Sequence, residues 1–364
     1  MLHFIETLFV ALCGGVLFHF LHIPLAWMLG PLTAIMIWKS VLKRVVYWPV
    51  GLRNAGLIVL GCLLGGSFTL ATGLQIFKQL PTMLLATATT VLFSLLVGCI
   101  TCRQTGVSLA SSVLGSIPGG LTQMAVLGEE IADTDITVIT FMQTFRLLSA
   151  IFIVPFVVIH GLAKHSGDMA YAGTAGAGGI PPAEITWVWA LFLGVALVSI
   201  WVAQRVHLPT PFLLGPLLGS AILVLAGLQA PRVPGYLIVA AQICIGAYLG
   251  LTMRFESLSD WKRILPYTLG GSVAIVFFAL AIGYLLTCLH PLKLADAFLS
   301  TAPGGIAEMG LTAVLVKADL SLVTAYQMFR LLFILFVVPP VLKWWLGSVS
   351  RKTGTVIRKN AGSP

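Results

Sequence analysis

Arg146 and Arg330 each stand about ten residues inside an otherwise apolar run. A guanidinium at that depth in hydrocarbon costs roughly 2.5–3.5 kcal/mol, so it is kept only where it is paired or functional. Gln143 and Gln327 precede the two arginines by three residues and share their helical face. Upstream of each pair lies an interruption: Ser116-Ile-Pro118-Gly119-Gly120, then Gln123, and Thr301-Ala-Pro303-Gly304-Gly305, then Glu308. Proline lacks an N–H and the glycines leave helical geometry readily. Unwound backbone and half-helix N-termini facing a solute would favour anionic groups.

Each feature has a second reading. The Pro-Gly-Gly breaks could serve close helix packing. Each arginine could attract an anion, hold the free carbonyls of the neighbouring break, or do both. Glu308, standing where the other half has Gln123, could carry a proton or bind sodium, or could neutralise an arginine. Asp135, Asp296 and Asp319 fall near segment ends and are expected to be solvated. His19 and His22 have a metal-capable H-x-x-H spacing, but only His22 has a histidine counterpart, His207. Interfacial histidines at a tight His-x-Pro turn are the expectation, with no metal and no resident cofactor beyond a coupling Na+ or H+.

What positions these residues is set by the solvent the chain needs. Of 364 residues 58% are hydrophobic and 9% charged, with a mean hydropathy of +1.01. That is too little charge to wet a folded surface, so lipid is the implied partner. The first residues carry Glu6 and no basic stretch, which argues for a retained first span. The net charge of +9 sits in short loops and the tail, as the positive-inside rule produces. No polar domain is left to bind nucleic acid, and no hydrolase, P-loop or dinucleotide motif appears. The six cysteines are scattered through apolar runs and read as small buried hydrophobes.

Apolar segments of spanning length fall at 4–21, 24–41, 54–72, 82–101, 105–128 and 136–160, then at 185–204, 208–226, 234–252, 264–288, 293–316 and 320–344. The second set repeats the first. His22-Ile-Pro-Leu-Ala-Trp-Met-Leu-Gly-Pro-Leu32 recurs as His207-Leu-Pro-Thr-Pro-Phe-Leu-Leu-Gly-Pro-Leu217, six of eleven identical at an offset of 185. Gly61 then meets Gly246, Gly65 meets Gly250, and Leu80-Pro81 meets Leu265-Pro266. One residue is dropped after the breaks, and Gln143/Arg146 meet Gln327/Arg330 at 184. The chain is therefore an all-α polytopic membrane protein of two homologous repeats, 1–163 and 184–346, with a Gly/Ala/Pro-rich linker at 164–183 and a basic tail at 347–364.

The paired H-[IL]-P…L-G-P-L, [ST]-x-P-G-G-[LI]-x-[QE]-M and Q-x-F-R-L-L segments resemble the bacterial AbrB-duplication membrane family, over nearly the whole chain. Its members carry labels such as ammonia monooxygenase or regulator of aidB expression. The resemblance implies a multi-pass inner-membrane protein. A monooxygenase would need a copper or iron site, for which the histidines are too dispersed. Nothing in the sequence resembles the small DNA-binding regulator that shares the family's name.

If all six segments per half cross, there are twelve spans and parallel repeats. If the Pro-Gly-Gly segments are re-entrant, each half has five crossings and the repeats are inverted. Counting Lys and Arg gives 13 inside and 6 outside for the first scheme, 14 and 5 for the second, so charge does not choose. Each side of a break is about half of what a crossing needs, which favours re-entry. Discontinuous helices at matching places in two halves point to a midplane site. The expected function is a secondary transporter of a small anionic or zwitterionic solute, with a cytoplasmic C-terminus. The alternative is a non-transporting solute sensor that affects gene expression indirectly. A homo-oligomer is compatible with either reading.

Overall fold

The computed structural model describes residues 2–131, 133–162, 186–253 and 261–345, so the expected linker and basic tail lie outside the described residues. The first half forms α1 (Leu2–Phe20), α2 (Ala26–Ser40), α3 (Val50–Gly65), α4 (Leu70–Thr105), α5 (Leu109–Ser116), α6 (Leu121–Glu130) and α7 (Ile136–Val157). The second half forms α8 (Thr186–Arg205), α9 (Pro211–Leu225), α10 (Gly235–Thr252), α11 (Trp261–Leu289), α12 (Leu294–Thr301), α13 (Ile306–Leu315) and α14 (Leu320–Phe336). No strand element occurs among the described residues. Among the described residues, seven helices are long and apolar enough to cross a membrane. The protein is a multi-pass, all-helical membrane protein.

Local backbone repeats with the sequence. His22 and His207, Leu25 and Thr210, and Asp133 and Lys317 are matched pairs of non-glycine residues with positive φ. Both histidines close a helix end in the same way. Ile23 N–H reaches back to Phe18 O and Leu208 N–H to Ala203 O, each 2.9–3.0 Å, the long-range bond of a Schellman ending. Asp135 and Asp319 likewise cap α7 and α14, accepting from Thr137 N–H at 2.8 Å and Leu322 N–H at 3.1 Å. They work as helix caps rather than as merely solvated charges.

The halves run in opposite directions. Phe93 of α4 stacks on Phe278 of α11, ring centroids 4.0 Å apart. These two residues are counterparts at the 185 offset, so the contact lies on the axis relating the halves. Along the same pair, Val97 faces Gly271, and Gln104 O accepts from Arg263 at 3.3 Å. Numbering climbs in one helix as it falls in the other. A helix and its own counterpart run antiparallel, the arrangement that inverted repeats produce. Gly56 against Ala241, also counterparts, marks a second point on the axis.

Packing does not follow the repeats. α1–α3 join α8–α10 in one bundle, and α4–α7 join α11–α14 in another. In the first bundle α2 lies along α10 and α3 along α9, each pair crossing between halves. Glycine makes this approach possible. A Cβ on Gly61 would sit 2.6 Å from Leu213 O, and one on its counterpart Gly246 would collide with Met28 O. α2 is only 15 residues long, yet it follows α1 antiparallel from His19–Trp27 at one end to the Trp38–Glu6 hydrogen bond at the other. It therefore crosses the same depth as α1.

Two features depart from the sequence reading. α4 has 36 residues, about 54 Å, and begins twelve residues before the expected 82–101 segment. Its first turns carry Gln75 and Lys78, which lower the hydropathy there. The cysteines are free thiols, but none is fully buried; Cys13 and Cys288 are exposed, and Cys99 and Cys102 sit one turn apart on α4. Their polarisable sulfurs suit an apolar outer surface as well as a core.

Candidate functional site

The segment expected at 105–128 is two short helices, α5 and α6, separated by extended residues. Ile117 has φ −66°, ψ 132° and Gly120 has φ −70°, ψ 136°. In the second half α12 and α13 flank Ala302 at φ −58°, ψ 138° and Gly305 at φ −80°, ψ 158°. Pro118 and Pro303 are buried within protein, as irregular backbone in a membrane requires.

Both interrupted segments are hairpins. Ser111 Oγ, near the start of α5, accepts from Asp135 N–H at 2.7 Å, at the start of α7. The break lies further along α7, where Arg146 reaches Gly119 O at 3.1 Å. The chain must then return to Asp135, and on the way Gly128 packs against Ile139. Eleven helical residues separate Asp135 from Arg146, about 16 Å, roughly half of a 30 Å hydrocarbon core. The second hairpin obeys the same rule. Asp296 Oδ1 accepts from Asp319 N–H at 3.0 Å, while Arg330 donates to Gly304 O at the tip. Each tip thus lies about half a crossing length along the helix that carries it. Asp296, expected to be solvated, is buried because it ties the foot of its hairpin to α14.

Each tip is held by the Gln/Arg pair of the adjacent helix. Gln143 Nε2 donates to Leu114 O at 2.6 Å and Ile117 O at 2.9 Å, and Arg146 Nη2 donates to Gln143 Oε1 at 2.7 Å. Gln327 Nε2 donates to Leu299 O at 2.7 Å and Ala302 O at 3.1 Å. Arg330 donates to Thr301 O at 3.4 Å, and also to Ala302 O, Gly304 O and Gln327 Oε1. Both arginines are 6% exposed and point into the protein. The carbonyl-holding role is the one the geometry realises, since the breaks strip these oxygens of helical donors.

The remaining candidates divide. Ser116 and Thr301 are buried at the ends of the entering helices; Ser116 donates to Ser112 O at 2.9 Å and Thr301 to Ala279 O at 2.8 Å. Gly119, Gly120, Gly304 and Gly305 form the tips. Glu308 is buried at the third position of α13, its carboxyl folded back toward Gly305 and its own backbone N–H. Among the described residues it makes no ion pair, so the arginine-neutralising reading fails. Gln123, its counterpart, lines a largely apolar groove of about 300 Å³ with Leu127, Ile334 and Pro339, away from Arg146.

Comparison with known proteins gives this arrangement its relatives. The family described as "Transition state regulatory protein AbrB" matches residues 27–346, from α2 through the helical run that ends at Trp345. The chain belongs to the AbrB family. Among its relatives is an Escherichia coli (strain K12) protein named "Putative regulator AbrB", 27% identical over 323 residues, covering 89% of this chain and 90% of that one. Another is "Uncharacterized protein YhjN" of Bacillus subtilis (strain 168), 25% identical over 356 residues, covering 91% of this chain and 90% of the relative.

The structure of this AbrB-family chain adds polar residues that sequence reasoning passed over. Tyr326 Oη donates to Gln79 Oε1 at 3.0 Å and lies 3.3 Å from Thr82 Oγ1, tying α14 to α4. Thr101, Thr268 and Ser272 are buried between α4 and α11. Single hydroxyls in apolar runs give little signal, because most bond back to their own helix. An available signal was asymmetry: Tyr326 stands where the first half has Met142.

Proposed function

We propose that this protein is a secondary transporter of a small anionic or zwitterionic solute, working by alternating access at a midplane site between the hairpin tips. The observation that carries this reading is that two broken hairpins, one in each half, are each held at the tip by a buried arginine. α6 begins at a break with no side-chain cap from its N-cap residue, so its N-terminal N–H groups can face a ligand, whereas the Glu308 carboxyl folds back over the start of α13. Two buried guanidiniums add positive potential beside the tips. Inverted repeats with discontinuous helices are how many secondary transporters build such a site.

Motion has a natural seam. Among the described residues, hydrogen bonds within the bundles include Trp38–Glu6, Lys39–Leu251 and Tyr47–Thr7 in the first, and the hairpin ties and Tyr326–Gln79 in the second. Across the seam the contacts are apolar, such as Leu64 against Gly310. Apolar contacts lack direction and yield to sliding, so the α1–α3/α8–α10 bundle serves as a frame and the hairpin bundle as the moving part. Glu308 is the candidate for coupling to Na+ or H+, being a buried carboxylate beside a tip with no ion-pair partner among the described residues. The protein would sit in the inner membrane with its two hairpin openings facing opposite compartments, the C-terminus cytoplasmic, and no enzymatic step.

The name of the Escherichia coli relative, a regulator, favours a second reading: a solute sensor that does not transport. Counterflow in liposomes separates the two. A solute that raises the melting temperature of purified protein should exchange across the membrane if the chain transports. Binding without counterflow would leave the sensor reading. Glu308→Gln should retain exchange of solute for solute while losing dependence on the Na+ or proton gradient. Unchanged gradient dependence would remove Glu308 from coupling.

A further inference from the structure

Arg330 and Arg146 differ in how completely their donors are used. Arg330 directs both terminal nitrogens at three carbonyls and Gln327. The acceptors of Arg146, Gly119 O and Gln143 Oε1, both lie on Nη2, and its Nε–H is buried without an acceptor. Arg146 lines a small cavity between α4, α5, α7 and α11, with Thr101, Ser116, Thr268 and Ser272. All four of these hydroxyl residues are buried, at 5% exposure or less. The cavity measures about 10 Å³, room for about one water-sized particle.

The corresponding place in the second half is lined differently. Counting by the repeat offsets, Leu286 stands for Thr101, Met83 for Thr268 and Tyr326 for Met142, while Ser116 and Ser272 keep hydroxyl counterparts in Thr301 and Thr87. Two of the four hydroxyls around the first-half arginine thus give way to larger apolar side chains in the second half. A buried charged donor left unpaired loses its hydration without return, a penalty of several kcal/mol for an ion. A water would satisfy the N–H but not the charge. Among the described residues no carboxylate pairs with Arg146.

We propose that the Arg146 niche binds a single anionic atom. Arg146 Nε–H would donate to it, and Ser116, Thr101, Thr268 or Ser272 would turn a hydroxyl from its own helix carbonyl to do the same. Two sources share this chemistry: a free halide, or one oxygen of a carboxylate on the solute. The second source rests on the transport reading; the first does not.

The test uses the full-length protein in detergent, with sodium gluconate replaced at constant ionic strength by chloride, bromide, formate or acetate. Saturating chloride or bromide should raise the melting temperature by about 5 °C. Stabilisation by halides alone assigns a free-halide site, whereas equal stabilisation by formate and acetate assigns a carboxylate oxygen. Thr101→Leu, which copies the leucine of the other half, should abolish the shift. Ser272→Ala removes a hydroxyl without adding volume and should weaken the halide midpoint about tenfold. A bromide anomalous peak beside Arg146 would locate the ion. Absence of any anion-dependent shift in the wild type, or an undiminished shift in both variants, would overturn the proposal. Failed counterflow with an intact halide shift would sink only the transport reading.

Discussion

At the tip of the first hairpin Arg146 donates to Gly119 and Gln143 and keeps one buried N–H unpaired, whereas at the second tip Arg330 reaches Thr301, Ala302, Gly304 and Gln327. Around the first the lining includes four buried hydroxyls and Met142; in the second half Leu286 and Met83 replace two of those hydroxyls, and Tyr326, fixed to Gln79, replaces the methionine. A carboxylate, Glu308, accompanies the second tip, and an amide, Gln123, the first. The backbone design is shared, so the difference comes from side chains alone.

That contrast predicts unequal penalties. Arg330→Gln should do the greatest damage, because Thr301 O and Gly304 O lose a charged donor, while Ala302 O keeps Gln327 Nε2. At about 1–3 kcal/mol for each buried group left unsatisfied, the loss is at least about 2 kcal/mol. Arg146→Gln strips only Gly119 of its donor and should cost roughly 1–3 kcal/mol. Thermal unfolding of both purified variants measures this directly. Equal losses, or a larger one for Arg146→Gln, would break the comparison.

The frame bundle offers the opposite expectation. Gly61 and Gly246 meet backbone carbonyls of α9 and α2 in the same way. Alanine at either should force the helices apart and cost about 1–3 kcal/mol, with the two values matching. A large difference between Gly61→Ala and Gly246→Ala would mean that asymmetry is spread through the molecule and not confined to the hairpin bundle.

Much of this was legible in the chain. The repeated Pro-Gly-Gly and Gln-x-x-Arg spacing placed the breaks, and the cost of a mid-membrane guanidinium aimed both arginines inward. Counting loop charges could not orient the repeats, because moving Lys164, Arg205, Arg232 and their neighbours between sides changes the totals by one. Direction is carried by tertiary contacts, Phe93 on Phe278 above all, and counterparts meeting on an axis leave no trace in a single run of residues. The swap of α2 and α3 into a common bundle with α9 and α10 was hidden for the same reason. Asp296 misled because distance along a segment is a poor measure of depth when the segment is a hairpin whose foot is covered by α14.

The smallest expected effect isolates the tyrosine that closes the second half. Tyr326 Oη is buried and donates to Gln79, itself buried at 3% exposure on α4. Phenylalanine keeps the ring, its volume and its packing against the apolar core, and removes only the hydroxyl. The net worth of such a bond is about 0.5–1.5 kcal/mol, since Gln79 Oε1 would lose this donor while its amide stays in place. Tyr326→Phe should therefore lower stability slightly without opening a cavity, and leave the anion response of the Arg146 niche unchanged. Tyr326→Met, which copies the first half, removes the same bond and also the bulk, and should cost more. If the two variants prove equally stable, bulk contributes nothing and the tyrosine serves only as a hydrogen-bond donor. If Tyr326→Met gains a chloride-dependent rise in melting temperature, the second half holds a latent niche that side-chain volume alone keeps shut.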